Sequence, residues 1–480
     1  MTDFAAVDLG AESGRVVLGR FDGERVSLSV EHRFENRPVA LPDGLRWNLL
    51  ALFTEVLAGL RGLAGPLDGV AVDTWGVDYA LLDADHRPLG LPFHYRDPRT
   101  DGMIERAHAR VPREELYEVT GIQTMPINTV FQLLADESLP AFAAVARIAL
   151  VPDLISLWLS GELVNEATNS STTGLLDARS GTWARTLIER LGLPPAPFTA
   201  DPVEPGTTLG PVLDHHGVDA PVHIVASHDT ASAFVAAPLR SERAAILSSG
   251  TWSLLGLELD EPVLTARARE YNLTNERGVD GTIRLLRNVM GLWLVQECAA
   301  PWQASYEQLT ALASAARGDV PLFDPDDDAL LRPGDMPARI AEACAALGQR
   351  RPEDRGEIVR SILTSLACKY RLVLERLEHV TGRDVDVVHV IGGGARNDLL
   401  CRLTADLLGR PVLAGPVEAT ALGNVLVQAR AVGELASLAD MRAVTAASAS
   451  PTVFEPSADG DESYGRFLAV TGQNVKETVS

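Results

Sequence analysis

The sequence predicts an α/β protein made of two domains. Its 480 residues exceed one ordinary domain and suffice for two domains of about 240 residues, each with its own core. Apolar runs of strand length alternate along the chain with segments of helical periodicity. A hairpin pattern around a small polar turn opens the chain and recurs half-way along it, with Gly10 and Gly250 at corresponding places. We therefore predict domains at residues 1–242 and 243–480, with the last helix packing back toward the first domain.

The elements of the first domain can be assigned in chain order. In "FAAVDLGAESGRVVLGRF" two apolar runs flank a glycine-bearing turn, which predicts a hairpin. The segment "WNLLALFTEVLAGLRGL" has its apolar residues at helical spacing. Residues 222–227 predict a strand that leads into a helix of small residues.

The second domain repeats this beginning. "RAAILSSGTWSLLGLELD", residues 243–260, predicts the corresponding hairpin. A long helical pattern ends at Gly382, and glycine commonly terminates helices. "DVDVVHVIGGGARNDLLCRLTADLLG" predicts a buried strand, a triple glycine and a helix, and "ESYGRFLAVTGQNVKETVS" predicts a closing helix.

Composition excludes several classes of function. The net charge of −23 argues against nucleic acid and against an anionic membrane surface. The only lysines are Lys369 and Lys476, and neither follows a glycine-rich loop, so a P-loop NTPase is excluded and the composition argues against pyridoxal phosphate chemistry. The four cysteines form no C-x-x-C pattern, and no signal peptide or long apolar run is present. These features predict a cytoplasmic protein with reduced thiols.

A first candidate phosphate site is "DLGAESGR", residues 8–15. Glycines permit a tight turn, and successive backbone N–H groups in such a turn bind anions. An acid at the mouth of the turn, Asp8, suits a phosphate that carries Mg²⁺, and Arg15 adds a fixed positive fork. An ordinary hairpin turn explains the same pattern equally well.

Two further glycine turns lie in the second half of the chain. "LSSGTWS", residues 247–253, occupies the matching hairpin turn, and "IGGGARND", residues 391–398, would let a ring or a ribose lie against bare backbone. The latter is not the dinucleotide-binding pattern G-x-G-x-x-G. Glycine turns in both halves, without a lysine, resemble the ribonuclease-H-like (actin-like ATPase) superfold, in which two domains hold ATP and Mg²⁺.

Asp229 stands between the predicted strand at 222–227 and the helix that follows. One interpretation is a helix N-cap, a role that Thr230 could fill equally well. The other is a general base at the carboxyl end of a strand, where α/β folds collect their chemistry. Because a helix N-terminus favours the ionised acid, we expect a ready but weak base. The sequence leaves both interpretations open.

The motifs taken together resemble the FGGY carbohydrate kinases across nearly the whole chain. They occur in the order "DLGAESGR", "DTWGVD", "YRDPRT", "SHDTASA", "SSGTWS", "NVMGLW" and "GGGARND". Within that family, "DTWGVDYALLD", "ATNSSTTGLLD", "SHDTASA" and "NVMGLWLVQ" are most similar to the members that act on L-rhamnulose. The resemblance implies transfer of phosphate from ATP, with Mg²⁺, to give L-rhamnulose 1-phosphate in rhamnose breakdown. It also implies that ATP and the sugar lie in the cleft between the two domains.

The resemblance further implies the role of individual residues, with Asp229 as the proton acceptor and Asp8 on the metal side. The implied substrate-binding residues are Gly76, His228, Asp229, Thr230 and Asn288. The implied ATP-binding residues are Ala11, Glu12, Ser13, Gly14, Arg15, Thr251, Gln296 and Gly393. Glu12 departs from the small or hydroxyl residue usual in the family, and a carboxylate is repelled by phosphate. We therefore expect its side chain to point to solvent and only its backbone N–H to contribute.

Other polar segments have simpler interpretations. Additional candidates near the sugar are Asp73, Asp78, Arg96, Asp97 and Arg99. The segment "YRDPRT" is nevertheless interpreted as a surface loop with Arg–Asp pairs, and "PDDDA", residues 325–329, as a solvated acidic loop.

Three alternative functions remain open at this point. They are another FGGY ketose or polyol kinase, an ATP-driven conformational or filament protein of the same superfold, and a nucleotide-sugar or NAD enzyme. The expected partners are a small sugar and ATP, with no nucleic acid and no membrane, for a monomer or a homodimer.

Overall fold

The computed structural model describes residues 1–239, 241–316 and 318–474. By contacts the chain divides into two units. Unit 1 comprises Met1–Pro238, Glu258–Leu285 and Ala419–Ala449. Unit 2 comprises the described residues of Leu239–Leu257, Leu286–Glu418 and Ser450–Ser480. The chain thus passes through unit 1 three times. The domain boundary after residue 242 stays a prediction.

The strands are β1 Thr2–Leu9, β2 Ser13–Phe21, β3 Val26–Glu35, β4 Val39–Leu41, β5 Gly44–Arg46, β6 Gly69–Thr74, β7 Tyr79–Leu82, β8 Arg147–Leu150, β9 Thr208–Pro211, β10 Pro221–His223, β11 Ala244–Ser249, β12 Trp252–Leu259, β13 Thr274–Arg277, β14 Ile283–Met290, β15 Val387–Ile391, β16 Val412–Ala414 and β17 Thr452–Phe454.

The α-helices are α1 Leu49–Gly62, α2 Met103–Arg110, α3 Arg113–Thr120, α4 Thr129–Asp136, α5 Val151–Ser160, α6 Ala167–Ser170, α7 Arg185–Arg190, α8 Asp229–Val235, α9 Ala266–Glu270, α10 Trp293–Trp302, α11 Tyr306–Ala315, α12 Met336–Ala346, α13 Arg355–Thr381, α14 Asp398–Leu408, α15 Ala419–Ala431, α16 Leu438–Ser448 and α17 Asp461–Thr471. Short 3₁₀ turns lie at Pro98–Thr100, Pro140–Ala144, Ser171–Thr173, Ala196–Phe198, Asp214–His216, Val279–Gly281, Asp328–Leu330 and Gly393–Arg396.

The main sheet of unit 1 has the strand order β3-β2-β1-β6-β10-β9. β1 pairs antiparallel with β2 and parallel with β6, and β6 pairs parallel with β10. Every residue of β6 is buried, as expected for a parallel strand that is covered on both faces. The carboxyl ends of β1, β6 and β10 therefore meet at one edge of this sheet.

A second sheet, of seven strands, contains the same motif. Its order is β13-β14-β12-β11-β15-β16-β17. β11 pairs antiparallel with β12 and parallel with β15, as β1 does with β2 and β6. The hairpins predicted around Gly10 and Gly250 are both confirmed.

Helices of unit 2 agree with their sequence patterns. The long helix α13 ends at Gly382, whose φ of 67° is the left-handed conformation that glycine adopts readily. The closing helix α17 packs against α13 and α14 of unit 2. Its packing toward the first domain stays a prediction. Residues 475–480 of that predicted segment, with Lys476, lie outside the described residues.

The acidic segment at 325–329 is only partly solvated. Asp327 and Asp328 are exposed, but the Asp326 carboxylate lies 3.2 Å from the ammonium group of Lys369. Burial alone would raise the pKa of Asp326, whereas Lys369 and a neighbouring arginine lower it below its ordinary value. The interpretation as a solvated loop is wrong for Asp326, because buried cations attract it.

Two further observations concern the cysteines and the helices in the part of the chain that the structure describes. All four cysteines are buried and none forms a disulfide. No described helix is both long and apolar enough to cross a membrane.

Candidate active site

Three carboxyl groups gather at the carboxyl edge of the unit 1 sheet. Asp8 on β1 stands opposite Asp73 on β6 in the parallel register. Burial raises the pKa of Asp73 well above its ordinary value, and the charges of Asp8 and Asp229 raise it further. The side-chain amide of Asn424, 2.6 Å from Asp73, opposes this shift. The three aspartates are therefore electrostatic neighbours.

Asp229 is the first residue of α8, and His228 takes the N-cap position without a side-chain capping bond. The N-cap interpretation of Asp229 and Thr230 is therefore wrong. Instead, the Asp229 carboxylate accepts hydrogen bonds from the backbone N–H of Thr230 at 2.5 Å and from its hydroxyl at 3.1 Å. Thr230 thus orients Asp229.

The electrostatics of Asp229 differ from the sequence-based expectation. Burial and the charge of Asp8 raise its pKa above the ordinary value, while His228 opposes the rise. A helix N-terminus alone was expected to favour the ionised form, but burial of the carboxyl group, reinforced by the charge of Asp8, outweighs it. Since basicity increases with pKa, Asp229 is a better base than expected.

His228 lies against Gly76. A β-carbon built on Gly76 would stand 3.4 Å from His228 Nε2 and 3.1 Å from the Thr172 side chain. Thr74, two residues before Gly76, forms a parallel bridge with His228. The structure therefore brings together four of the predicted substrate residues, namely Gly76, His228, Asp229 and Thr230.

The turn that carries Gly76 is strained at its next residue. Val77 has φ of +69°, a conformation that a β-branched residue rarely adopts. Its N–H donates to the Thr172 hydroxyl at 3.1 Å, and its carbonyl accepts from the Thr129 hydroxyl at 2.6 Å. These side chains hold the turn in place, and the sequence analysis identified neither threonine.

Asp78 anchors the same turn from inside the core. Its carboxylate accepts hydrogen bonds from the indole N–H groups of Trp47 at 2.5 Å and Trp75 at 3.0 Å, and from the Gln132 amide at 2.9 Å. Burial raises the pKa of Asp78 to about 6, although these hydrogen bonds oppose the rise. Asp78 therefore positions Trp75, the residue next to Gly76.

The segment "YRDPRT" is not a surface loop. Arg96 and Asp97 are buried, and Asp97 accepts a hydrogen bond from Leu45 N–H at 2.7 Å. The guanidinium of Arg99 donates to the backbone and side-chain oxygens of Gln132, at 2.9 and 2.8 Å. The predicted Arg–Asp surface pairs are wrong, because these side chains connect distant buried segments.

Glu166 supports the backbone of the candidate site, and sequence reasoning missed it. Its wholly buried carboxylate accepts hydrogen bonds from Ser227 N–H at 3.2 Å, from the Ser227 hydroxyl at 2.7 Å and from the hydroxyl of Thr168 at 2.7 Å. The Thr168 hydroxyl in turn accepts from His228 N–H at 3.3 Å. Glu166 thus fixes the backbone from which His228 and Asp229 project. The hydroxyl-rich stretch after it was a usable signal.

The predicted phosphate turn is a tight hairpin turn. Gly10 N–H donates to Ser13 O at 2.9 Å, and Asn36, another residue not identified from sequence, donates its side-chain amide to Gly10 O at 2.8 Å. Neither Gly10 nor Gly14 has a positive φ. Position 14 has no room for a larger residue, because a β-carbon there would meet the Phe34 ring at 2.2 Å. Close packing, rather than left-handed backbone, requires this glycine.

The turn carries one ion pair and one exposed acidic residue. Asp8 Oδ2 accepts from Arg15 Nε at 2.9 Å and Nη2 at 2.6 Å, so these two predicted residues pair with each other. Ala11 and Ser13 are half-buried, whereas Glu12 is exposed. The exposed position of Glu12 agrees with the expectation that its side chain points to solvent.

The other predicted ATP residues lie in unit 2. Thr251 O accepts from the N–H groups of Gly291 and Trp293 at the start of α10, at 3.2 and 3.1 Å. One turn along α10, Gln296 Oε1 is buried without a hydrogen-bond partner among the described atoms. Asn288, predicted to bind the sugar, also lies in unit 2, on β14.

Only one glycine of the triplet at 392–394 faces open space. A β-carbon on Gly394 would meet Ser249 Oγ at 2.0 Å, and Gly392 has φ of +83° with Ser249 O 3.1 Å from a built β-carbon. These two glycines allow close packing on β11. A β-carbon on Gly393 would meet no atom within 4 Å, and Gly393 is the predicted nucleotide residue.

Comparison with known proteins identifies the family. Residues 4–235 match the N-terminal domain, and residues 245–432 the C-terminal domain, of the FGGY family of carbohydrate kinases. A rhamnulokinase of Bacteroides thetaiotaomicron is 42% identical over 478 residues, which cover 97% of this chain and 98% of that protein. A rhamnulokinase of Pectobacterium carotovorum is 41% identical over 482 residues, which cover 98% of this chain and 96% of that protein.

Solved structures agree with the fold. A xylulose kinase from Rhodospirillum rubrum has a TM-score of 0.75 at 21% identity and covers 98% of each chain. A gluconate kinase from Lactobacillus acidophilus has a TM-score of 0.76 at 15% identity, covering 98% of this chain and 96% of that one. These likenesses confirm the predicted two-domain α/β fold. Together with the sequence relatives, they lead to one conclusion: this chain belongs to the FGGY family of carbohydrate kinases.

Proposed function

We propose that this chain transfers the γ-phosphoryl group of ATP to the O1 hydroxyl of L-rhamnulose. The observation that carries the proposal is identity of 40–42% with rhamnulokinases over nearly the full chain. The grouping of Gly76, His228 and Asp229 at one place in unit 1 supports it. The carboxylate of Asp229 suits a sugar hydroxyl, and the imidazole of His228 and the backbone at Gly76 suit the atoms next to that hydroxyl.

In the proposed reaction Asp229 is the general base. The O1 hydroxyl gives its proton to the Asp229 carboxylate as the oxygen forms a bond to the γ-phosphorus. The bond from that phosphorus to the β,γ-bridging oxygen breaks, and ADP leaves with the electron pair. Because the transition state of phosphoryl transfer is loose, orientation of the hydroxyl matters more than early deprotonation. Thr230 supplies that orientation through its two hydrogen bonds to Asp229.

We assign nucleotide binding to the two hairpin turns and the triplet glycine. The residues are Ala11, Glu12, Ser13, Gly14, Arg15, Thr251, Gln296 and Gly393. Support comes from the buried, unpartnered Oε1 of Gln296 and from the open space beside Gly393. A buried polar atom without a partner is costly, and a ligand hydrogen bond would satisfy it.

The carboxylates of unit 1 fit a magnesium ion carried by the nucleotide. Asp73 Oδ1 is buried without a hydrogen-bond partner among the described atoms, and Asp8 stands beside it in register. No group of three or more His, Cys, Asp or Glu residues in the described chain is placed to hold a metal alone. The pair of carboxylates Asp8 and Asp73 suits Mg²⁺, which binds through one or two carboxylates, phosphates and several waters. We propose Asp8 on the metal side, where the ion would neutralise phosphate charge.

A substrate panel tests the proposal. ADP release is measured with L-rhamnulose, L-fuculose, L-xylulose and D-fructose, with a control that lacks sugar, and the product is examined by ³¹P NMR. We expect the highest kcat/KM for L-rhamnulose and a phosphate ester at O1. A higher kcat/KM for another sugar would assign a different substrate within the family. ADP release that no sugar accelerates would indicate an ATPase instead.

A further inference from the structure

Arg284 on β14 is a buried charge that the proposed reaction does not use. Its side chain is wholly inaccessible to solvent, and Nη1 has no hydrogen-bond partner in the described chain. Nη2 lies 3.2 Å from Glu276 and 3.2 Å from His228 Nδ1. Nε donates to Arg277 O at 3.0 Å, which fixes the plane of the guanidinium. Burial of such a charge is costly, so its place against His228 calls for an explanation.

The chemistry of arginine determines which His228 nitrogen carries a proton. A guanidinium has only donors, so a hydrogen bond between Nη2 and His228 Nδ1 requires a lone pair on Nδ1. A proton on Nδ1 would face an arginine N–H across 3.2 Å. This contact favours a neutral imidazole that carries its single proton on Nε2. Glu276 Oε2, 3.4 Å from Nδ1, would accept a proton from Nδ1 in the opposite tautomer, but Arg284 lies closer to Nδ1, at 3.2 Å, and the carboxylate also offsets the charge of Arg284.

The Nε2 side of His228 faces the candidate sugar residues. Nε2 lies 3.5 Å from Asp229 Oδ1, and 3.4 Å from the position of a β-carbon built on Gly76. A donor and an acceptor thus stand side by side. Their spacing matches two oxygens on adjacent carbons, one giving a proton and the other accepting a hydrogen bond.

We propose that Arg284 is a positioning residue that holds His228 as the Nε2–H tautomer, so that His228 donates to the sugar oxygen next to the hydroxyl that Asp229 deprotonates. This proposal rests on the proposed function for the identity of the ligand. The class of substrate it favours is an α-hydroxyketone, because a keto oxygen can only accept. A residue that acts through His228 in this way sets selectivity without touching the sugar.

The tautomer can be measured on the free protein by ¹⁵N-histidine NMR. The His228 signals are assigned from their loss in His228→Gln. We expect Nε2 to be the protonated nitrogen and Nδ1 the unprotonated one. A proton on Nδ1, or on both nitrogens at neutral pH, would overturn the proposal. This measurement needs neither sugar nor ATP, so it stays informative even if the substrate panel assigns another function.

Variants separate Arg284 from its neighbours. Arg284→Met should mix the two tautomers and lower kcat/KM for L-rhamnulose about tenfold, as expected for one lost hydrogen bond, with the KM for ATP unchanged. Glu276→Gln should keep the Nε2–H tautomer, because Arg284 still donates to Nδ1. An unchanged tautomer in Arg284→Met, or a change of tautomer in Glu276→Gln, would contradict the proposal.

A matched control accounts for general loss of stability. Arg442, like Arg284, is mostly buried and pairs with a glutamate, Glu258, at 2.7 Å, also within unit 1. Arg442→Met should lower stability yet leave the His228 signals and kcat/KM unchanged. If Arg284→Met does not fold, the wild-type and Glu276→Gln spectra still decide the question.

Discussion

Gly76 lies against the Nε2 edge of the His228 imidazole. A β-carbon at position 76 would stand 3.4 Å from His228 Nε2, which is ordinary contact distance, and 3.1 Å from Thr172, which is tight. Glycine is favoured here for space rather than for an unusual φ. This edge is where the proposed function places the sugar.

Gly76→Ala therefore tests whether the sugar uses this space. We expect the KM for L-rhamnulose to rise about tenfold or more, because an extra methyl group in a close-fitting pocket weakens binding by about that factor. The KM for ATP should be unchanged. Gly90→Ala is the matched control, because a β-carbon there meets no atom within 4 Å. Steady-state kinetics with both substrates varied provides the measurement. An unchanged KM for the sugar would remove Gly76 from the site.

Gly393→Ala makes the corresponding test for the nucleotide. The added methyl group meets no protein atom within 4 Å, so the free energy of unfolding should not change. We expect the KM for ATP to rise about tenfold and the KM for the sugar to stay constant. In contrast, Gly394→Ala should be destabilised, because its β-carbon would meet Ser249 Oγ at 2.0 Å. Wild-type affinity for ATP in Gly393→Ala would show that the nucleotide does not contact this glycine.

Asp78 should make stability depend on pH. Its pKa is about 6 in the folded protein against an ordinary value of 3.8. The folded state thus binds a proton that the unfolded state has lost, and the free energy of unfolding falls as pH rises from about 4 through 6. The shift corresponds to roughly 3 kcal/mol.

Urea denaturation of wild type and Asp78→Asn at pH 4.5 and 7.5 measures this dependence. We expect the stability of wild type relative to Asp78→Asn to be lower at pH 7.5 than at pH 4.5, since only the wild type carries the titrating group. A difference between the two proteins that is the same at both pH values would show that the hydrogen bonds to Asp78 keep its pKa near the ordinary range.

Lys369 should be important for the stability of unit 2. Its buried ammonium group lies 2.8 Å from Asp324 and 3.2 Å from Asp326. Lys369→Met removes the cation that pairs with Asp324 and one of the two cations beside Asp326, since Arg287 remains 3.1 Å away, and should lower the free energy of unfolding by about 3–5 kcal/mol. The control is Arg243→Met, which breaks an exposed pair with Asp386 and should cost much less, because solvent screens that pair. Equal losses in the two variants, measured by denaturant unfolding, would refute the importance of burial.

Local sequence patterns predicted most of the elements. The helical spacing before residue 63 became α1, and the glycine after α13 ended that helix. The two hairpins also followed from alternating apolar runs and small turns. These features depend on neighbours within a few residues, so periodicity and turn chemistry suffice to find them.

The errors concern groups whose partners are distant in sequence. Arg96 and Asp97 were placed at the surface because such residues usually are, yet Asp97 bonds Leu45 within the core. The pKa of Asp229 rises because the fold buries its carboxyl group and brings Asp8 near it. Arg284 interrupts an apolar strand, and that pattern could have indicated a buried ion pair, although not its partner.

The most direct test of the account is the turnover of Asp229→Asn with L-rhamnulose and ATP. Asparagine keeps the size of the side chain but cannot accept the proton. We expect a folded protein with wild-type affinity for ATP and a kcat lower by about 10²–10⁴. A kcat close to that of wild type, in a variant whose unfolding curve is unchanged, would show that Asp229 is not the base.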